Sequence, residues 1–578
     1  MDRPQPGITP VAPVQFKRIG NGATVFADFG ADAYGNLQIN IPLPVTATNF
    51  TIRLGEKLDA TGAIDRRPYG SVNYQELSLV TQSNQTVYQL QIPPKPQHSN
   101  PQAVHMPPEI GEVTVFRYAE IDNAPTSLNA EALHQQWVHT AFDDNSSFFR
   151  SSNDTLNAVW DLCKHTIKAT TAFGVYIDGE RERIPYEADS YINQLSHLAV
   201  DANPEVSQYT FEHLLKHPTW PTEWGLHMPM IAAFDYMFTG DIALANNNYD
   251  ALRKKLLMEK ARGDGLIRAL GIVDWPAGER DGFNDGDQQN LAGPDINTVV
   301  NAFYYHALLE MAVIAQATGQ TQDVHLFKSR ARAVYNAFNA VFFDRKRGIY
   351  IDGEGSTHAS LHANMFSLAF DLVPRGYQNQ VADFIQSRGM ACGVYGAQYL
   401  LEALYKAGRD EYALQLMISR SDRSWWHMIQ IGSTMTLEAW DVKYKPNLTW
   451  NHAWGAAPAN IISRYMLGVR PLKPGFEKIL IAPQPGSLEE IYGRVPTMKG
   501  PVVVNYQLGV LEVEIPEGTT ARVLIPYKLA KPQQFPPHLF INGRKETAKA
   551  ESGCIVVDEV GPGKSVFDFR PGQKKSTR

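Results

Sequence analysis

The stretch Asp154-Thr-Leu-Asn-Ala-Val-Trp-Asp-Leu162 decides the fold. Its apolar residues Leu156, Val159 and Trp160 recur three and four apart, the period of one buried helix face. The same period continues to about residue 470. Helices are expected to start near residues 154, 188, 204, 225, 241, 293, 322, 356, 376, 391, 409 and 453. No strand pattern interrupts them, which argues an all-α layer. Twelve antiparallel helices in six hairpins close into an (α/α)6 toroid, with loops gathered into a cleft at one end.

Strands flank this region on both sides. Ala23-Thr-Val-Phe-Ala-Asp-Phe, Leu37-Gln-Ile-Asn-Ile, Phe50-Thr-Ile-Arg-Leu and Val87-Tyr-Gln-Leu-Gln-Ile alternate apolar and polar positions between Gly, Asn and Pro breaks, the signature of half-solvated antiparallel strands. Ile92-Pro-Pro-Lys-Pro through Met106-Pro-Pro reads as a long surface loop, because proline lacks the N–H a ladder needs. Strand patterns return in Lys478-Ile-Leu-Ile-Ala, Val502-Val-Val-Asn-Tyr, Val510-Leu-Glu-Val-Glu-Ile, Arg522-Val-Leu-Ile and Val566-Phe-Asp-Phe. The expected organisation is multidomain α+β. An N-terminal antiparallel β-sandwich covers 1–148, the (α/α)6 toroid 149–470 and a C-terminal antiparallel β-sandwich 471–578.

Composition narrows the function classes. The chain has 578 residues, 44% of them hydrophobic, so it is globular rather than disordered. Its 53 Lys and Arg against 60 Asp and Glu give a mild net charge of -7, a poor start for phosphate neutralisation, so no nucleic-acid partner is expected. No apolar run approaches the ~20 residues of a spanning helix, so no membrane partner is expected. Cys163, Cys392 and Cys554 are odd in number and far apart, which indicates neither a thiolate metal site nor a disulfide scaffold. A cytoplasmic location fits, or a periplasmic one where an export signal has been removed. No metal or cofactor is expected. His358 and His362, four apart on an expected helix, lack the paired glutamate of a metal motif.

Four clusters carry chemistry. Asp178-Gly-Glu-Arg-Glu-Arg-Ile-Pro-Tyr-Glu-Ala-Asp189 sits on a connecting loop, where scaffold-held catalytic groups concentrate; a solvated salt-bridge loop is the alternative. Between Trp425 and Trp454 lie five Trp and two His around Glu438. Asp274-Trp275-Pro-Ala-Gly-Glu-Arg-Asp281-Gly-Phe283 and Trp220, Glu223 and Trp224 add two more groups, as consistent with core packing as with a site. Acids and His bond sugar hydroxyls, indole faces stack on sugar rings, and glycoside hydrolysis needs two carboxyl groups.

These motifs together resemble the α-L-rhamnosidases of glycoside hydrolase family 78 in their compact bacterial form. Arg181-Glu182-Arg183-Ile184-Pro185-Tyr186-Glu187-Ala188-Asp189 is similar to the family's Arg-Glu-Lys-Leu-Gly-Trp-x-x-Asp segment, and Asp178 matches the aspartate before it. Asp274-Trp275 resembles the Gly-Asp-Trp loop, with Val273 in place of Gly. Thr434-Met-Thr-Leu-Glu438-Ala-Trp440 resembles Thr-Thr-x-Trp-Glu-x-Trp, with Leu437 in place of Trp. Asn451-His452-Ala-Trp-Gly and Leu472-Lys-Pro-Gly-Phe follow in the family's order.

The resemblance implies an inverting exo-glycosidase that removes terminal α-L-rhamnose from small glycosides or oligosaccharides. It implies Glu182 as general acid and Glu438 as general base, ~6.5–9.5 Å apart. Substrate contacts are expected from Asp178, Arg181, Tyr186, Asp189, Trp224, Asp274, Trp275, Trp440 and His452. The interval from Asp178 to Glu182 is one residue shorter than in many members, which leaves Glu180 and Glu187 as alternative acids; the register that also places Asp189 favours Glu182. A homodimer fits a compact member. The competing readings are another (α/α)6 glycoside hydrolase for a different sugar, and a non-catalytic glycan-binding protein that leaves Glu182 and Glu438 without a role.

Overall fold

The computed structural model describes residues 1–20, 22–41, 48–220, 222–283, 291–530, 539–546, 549–551 and 553–569. Its centre is helical: α1 (Asp154–Thr170), α2 (Glu187–Val200), α3 (Glu205–Lys216), α4 (His227–Thr239), α5 (Ala243–Asn247), α6 (Tyr249–Lys254) and α7 (Thr298–Ala317). Then come α8 (Thr321–Val341), α9 (Leu361–Ala369), α10 (Gln378–Arg388), α11 (Val394–Lys406), α12 (Asp410–Met417), α13 (Trp425–Gln430) and α14 (Ala457–Ile461). Among the described residues α2, α4, α7, α9, α11 and α14 each touch the next, and α14 touches α2, so these six close an inner ring. Helices α1, α3, α5, α8, α10 and α12 back them from outside.

The sequence explains which helix goes where. Every residue of α2 is buried, as an inner wall requires. Outer α8 buries Val324, Phe327, Ala331, Val334 and Phe338, one stripe at three-four spacing. Side-chain caps start several helices: Asn153 Oδ1 accepts from Leu156 N at 2.9 Å, Asn297 Oδ1 from Val300 N at 2.8 Å and Ser360 Oγ from Ala363 N at 3.0 Å. The twelve expected starts fall within five residues of observed ones, while α6 and α13 were not expected. Helix α7 corrects another expectation, since its 20 residues are apolar enough to pass as a membrane span. Most of that face is buried in the ring.

The N-terminal region is one eight-stranded sheet folded over on itself. Two expected strands are a single one, Thr24–Asn40, whose register breaks between Asp28 and Ala33. Gly30, at φ +89°, supplies the left-handed residue within that break. The fold-over encloses Val25, Leu37, Ile39, Phe50, Ile52 and Phe116. The proline-rich segment after Ile92 is not simply a surface loop. His98 is buried with Nε2 2.8 Å from the Glu180 carbonyl, and Val104 N donates to Arg183 O at 2.8 Å. Its backbone groups find partners on the toroid that a sheet would otherwise supply.

Two stacked sheets, five- and seven-stranded, form the C-terminal sandwich. It departs from expectation twice. Lys478–Ile481 pairs in parallel with Thr520–Pro526, and Phe148–Ser151, placed by sequence at the seam of the first two domains, pairs with Glu490–Val495. The strand before α1 therefore ties the toroid's entrance to its exit.

The first sheet grips the toroid through two buried carboxyl groups. Asp32 Oδ2 accepts from Thr434 Oγ1 at 2.8 Å, and Glu56 Oε1 accepts from Asn451 Nδ2 at 2.9 Å. Burial pushes Asp32 up to about 7 and, with the nearby Asp32 charge, pushes Glu56 up to about 8. The folded form thus holds protons that the unfolded chain releases near pH 4. Stability should fall as pH rises from there through the folded values. The melting temperature is expected to drop between pH 6 and pH 9, and Asp32→Asn to shrink that drop. An equal drop in both proteins, by calorimetry at the two pH values, would remove Asp32 as its source.

Candidate active site

The loop before α2 is a tight turn. Asp178 N donates to Ile184 O, Ile184 N to Asp178 Oδ1 and Arg183 N to Gly179 O, each at 2.9 Å. Arg183 sits at φ +56°, a strained value for a residue that carries a Cβ. Buried ion pairs hold it there: Nε and Nη2 each lie 3.0 Å from Glu180, and Nη1 lies 2.7 Å from Glu112. A side chain at Gly179 would come within 3.2 Å of Asn451 and Thr449, so glycine lets this turn lie against the segment that follows Glu438.

That packing sorts the carboxylates. Glu180 is buried on Arg183, with Lys95 3.1 Å away; burial would raise its proton affinity, but these cations hold it below the usual range. Glu187 accepts from Thr219 N at 3.1 Å and from the Thr219 hydroxyl. Neither lines the cleft. Glu182 does: its side chain is 36% exposed, and Oε2 accepts from the Tyr186 hydroxyl at 3.2 Å.

From the segment after α13, 257 residues on, Glu438 meets Arg181 across the cleft. Arg181 Nη1 and Nη2 donate to its two oxygens at 2.9 and 3.1 Å, the fork geometry suited to a carboxylate. Lys445 Nζ adds a contact at 3.2 Å and Thr449 N another at 3.1 Å. Burial would push Glu438 up, but His452, Arg181 and Lys445 outweigh it and hold the carboxyl below its ordinary range. Asp178 and Asp189 go the other way. Burial and the Glu182 charge hold Asp178 well above the usual range; burial raises Asp189, with His452 opposing. Neighbouring carboxyl groups with proton affinities driven apart are what acid–base chemistry uses.

Arg181 Nη2 is also 3.2 Å from Glu182 Oε1. One nitrogen thus touches both glutamates, and the two contacts laid end to end bound their Oε1 atoms at 6.3 Å. The expected ~6.5–9.5 Å of an inverting pair is therefore not the spacing of these atoms. Glu182 is the partner placed to move, because it is part-exposed while Glu438 is buried under four donor contacts.

The cleft encloses about 550 Å³, its open mouth included, and is lined by Asp178, Arg181, Glu182, Tyr186, Asp189, Trp220, Trp224, Ile272, Trp275, Glu438, His452 and Trp454. Asp189 stands in the first turn of α2, where the positive helix end favours a carboxylate. Its Oδ1 is 2.9 Å from His452 Nε2, while its buried Oδ2 has no hydrogen-bond partner among the described residues. Trp224 Nε1 is likewise buried without one, and its ring meets Tyr186 edge-on at 5.8 Å. Buried polar groups are nearly always hydrogen-bonded, so an acceptor and a donor left open beside one cleft call for partners.

Two residues expected on this surface stand behind it. Asp274 is fully buried: Oδ1 accepts from Trp275 N at 2.7 Å, Oδ2 accepts from Gly393 N at 2.8 Å and lies 2.7 Å from His362 Nε2. A side chain on Gly396 would come within 2.4 Å of it. The aspartate ties the loop carrying Trp275 to the starts of α9 and α11 instead of facing a sugar. Trp440 is buried edge-on against Trp425 at 5.1 Å, and its Nε1 donates to Cys392 O at 2.8 Å. His358 lies before α9 and bonds Asp352 at 2.6 Å, so it does not share a ligand position with His362.

Lys445, Trp220, Ile272 and Trp454 were not among the expected contacts. Trp454 and Trp220 belonged to the tryptophan clusters, so that signal was available. Nothing in the residues around Lys445 marked it, because its place depends on a turn from Asp441 to Thr449 that folds it back onto Glu438.

Residues 144–466 match the family described as bacterial alpha-L-rhamnosidase 6 hairpin glycosidase domain, and residues 468–534 match the bacterial alpha-L-rhamnosidase C-terminal domain. An alpha-L-rhamnosidase of Alteromonas sp. (strain LOR) is 22% identical over 96% of this chain, which spans 62% of that relative's length. The solved alpha-L-rhamnosidase of Dictyoglumus thermophilum superposes with a TM-score of 0.79 at 19% identity, over 97% of this chain and 64% of that one. That of Streptomyces avermitilis, complexed with L-rhamnose, gives 0.76 at 18%, over 98% and 54%. These structures share the fold. With its helical domain matched from end to end, over more than half of its residues, the chain belongs to the bacterial α-L-rhamnosidase six-hairpin glycosidase family.

Proposed function

We propose that this protein hydrolyses terminal α-L-rhamnosides with inversion, Glu182 serving as general acid and Glu438 as general base. The observation that carries the reading is the pair of glutamates on adjacent edges of one guanidinium, facing a cleft walled by Trp220, Trp224, Trp275 and Trp454. The Alteromonas relative is named an alpha-L-rhamnosidase, and the Streptomyces neighbour was solved with L-rhamnose. In this reading Asp178 and Asp189 take sugar hydroxyls, and Ile272 with the tryptophans meets the 6-deoxy methyl. Substrate displaces Glu182 from Arg181, which opens the gap for a water molecule. Glu182 protonates the leaving oxygen while Glu438 takes a proton from water attacking the opposite face.

The close approach of the two Oε1 atoms raises a second reading, in which the glutamates stay close and Glu438 attacks directly with retention. Product stereochemistry separates the two. With 4-nitrophenyl α-L-rhamnopyranoside, proton NMR in the first minutes is expected to show β-L-rhamnose ahead of mutarotation. Initial α-anomer would overturn inversion and leave the hydrolase reading. A folded protein that releases no sugar would overturn rhamnose as the glycone.

A further inference from the structure

Neither reading gives Lys445 a task, yet this lysine is buried behind the cleft wall, 5% exposed. Its Nζ lies 3.2 Å from Glu438 Oε1 and donates to Asn447 Oδ1 at 2.6 Å. The same ammonium stands 5.9 Å from the centre of the Trp275 ring. Burying an ammonium is costly unless a charge or ring face compensates, and here both do, at the carboxylate already assigned to the base.

The charged groups around Glu438 differ in what else they hold. Arg181 is divided between Glu438 and Glu182, and also donates to Asn447 O at 2.7 Å. His452 is engaged by Asp189. Glu182 and Asp178 also act on the Arg181 charge, so it is shared among three carboxyl groups. Lys445 makes its ion pair with Glu438 and its anchor is a neutral amide. In the proposed reaction Glu182 leaves Arg181 to meet the substrate, and the guanidinium then loses one of its three partners, whereas Lys445 has no contact with Glu182 to lose.

We propose that Lys445 is a positioning residue for the base: anchored by Asn447 and covered by Trp275, it holds Glu438 ionised and in orientation while Glu182 parts from Arg181. This rests on the reading of Glu438 as the base. The loop from Asp441 to Thr449 is then part of the catalytic apparatus, although Lys445 itself need not touch the sugar.

The test compares Lys445→Met and Lys445→Arg with wild type. Removing the cation makes Glu438 easier to protonate, so the base is lost at a higher pH. For Lys445→Met the acid limb of kcat/KM should move up by about one pH unit, kcat should fall about tenfold and KM should stay within about twofold. Lys445→Arg should restore the limb. In parallel, the Glu438 carboxyl is titrated by carbon NMR on glutamate-labelled protein, assigned by the signal missing in Glu438→Gln; it should move the same way.

An unmoved limb and unmoved carboxyl in a Lys445→Met protein that melts like wild type would overturn the proposal. So would a shift in Lys445→Arg as large as in Lys445→Met. If Glu438→Gln retains full activity, the base reading fails instead. The carboxyl titration reads Lys445 even if the rhamnoside is not turned over.

Discussion

Glu438→Gln is expected to lower kcat on an aryl α-L-rhamnoside by about a thousandfold to ten-thousandfold, the upper part of the range for removing a general base. The change keeps the shape of the side chain but removes its proton affinity. It also turns an amide N–H₂ toward Arg181, Lys445 or Thr449 N, three donors that now meet an oxygen. Some local loosening is therefore expected, and the melting temperature must be read beside the rate. Binding should persist, because Asp178, Asp189 and the tryptophan walls are untouched. Product inhibition by L-rhamnose is the measure of that. A variant that keeps kcat within tenfold of wild type would remove Glu438 from the chemistry.

Glu182→Gln should show a different signature, because what it removes is a proton for the leaving group. On a substrate with an alkyl or sugar leaving group, loss of the acid should cost about a thousandfold. A 4-nitrophenolate leaves without protonation, so there the loss should be about tenfold or less. Rates measured across aryl and alkyl rhamnosides give the slope directly. Equal losses on every leaving group would point to a structural role for Glu182 and make Asp178, buried and with its proton affinity raised, the next acid to test.

The two variants also probe Arg181 from opposite sides. Without Glu182 the guanidinium keeps its fork on Glu438; without Glu438 it keeps one edge on Glu182. If both glutamates merely formed a stabilising ion cluster, the two substitutions would cost similar amounts of stability and have no leaving-group signature. The glycan-binding alternative makes that forecast, so the same rates separate it from the hydrolase.

Much of this was readable before any coordinates. Local information carried it: three-four spacing and the Asn153, Asn297 and Ser360 caps act within one or two turns, so helices could be located from short windows. Alternation in Phe50–Leu54 or Val510–Ile515 marks strands for the same reason. The clusters around Asp178–Asp189 and Glu438–His452 stood out by composition, and the toroid brings both to one mouth because the chain enters α2 and α14 from those segments.

Tertiary structure decided what each acid and indole faces. Glu180, Glu182 and Glu187 are alike in sequence; a left-handed turn at Arg183 and a partner on Thr219 send two of them away from the cleft. Asp274 looked like a sugar ligand, but the backbone N–H of Gly393, 119 residues on, occupies it. Lys445 carried no signal at all until its turn folded onto Glu438. Periodicity is written in neighbours along the chain, whereas the partner of a buried charge comes from wherever the fold places a complementary group, and no local window contains that.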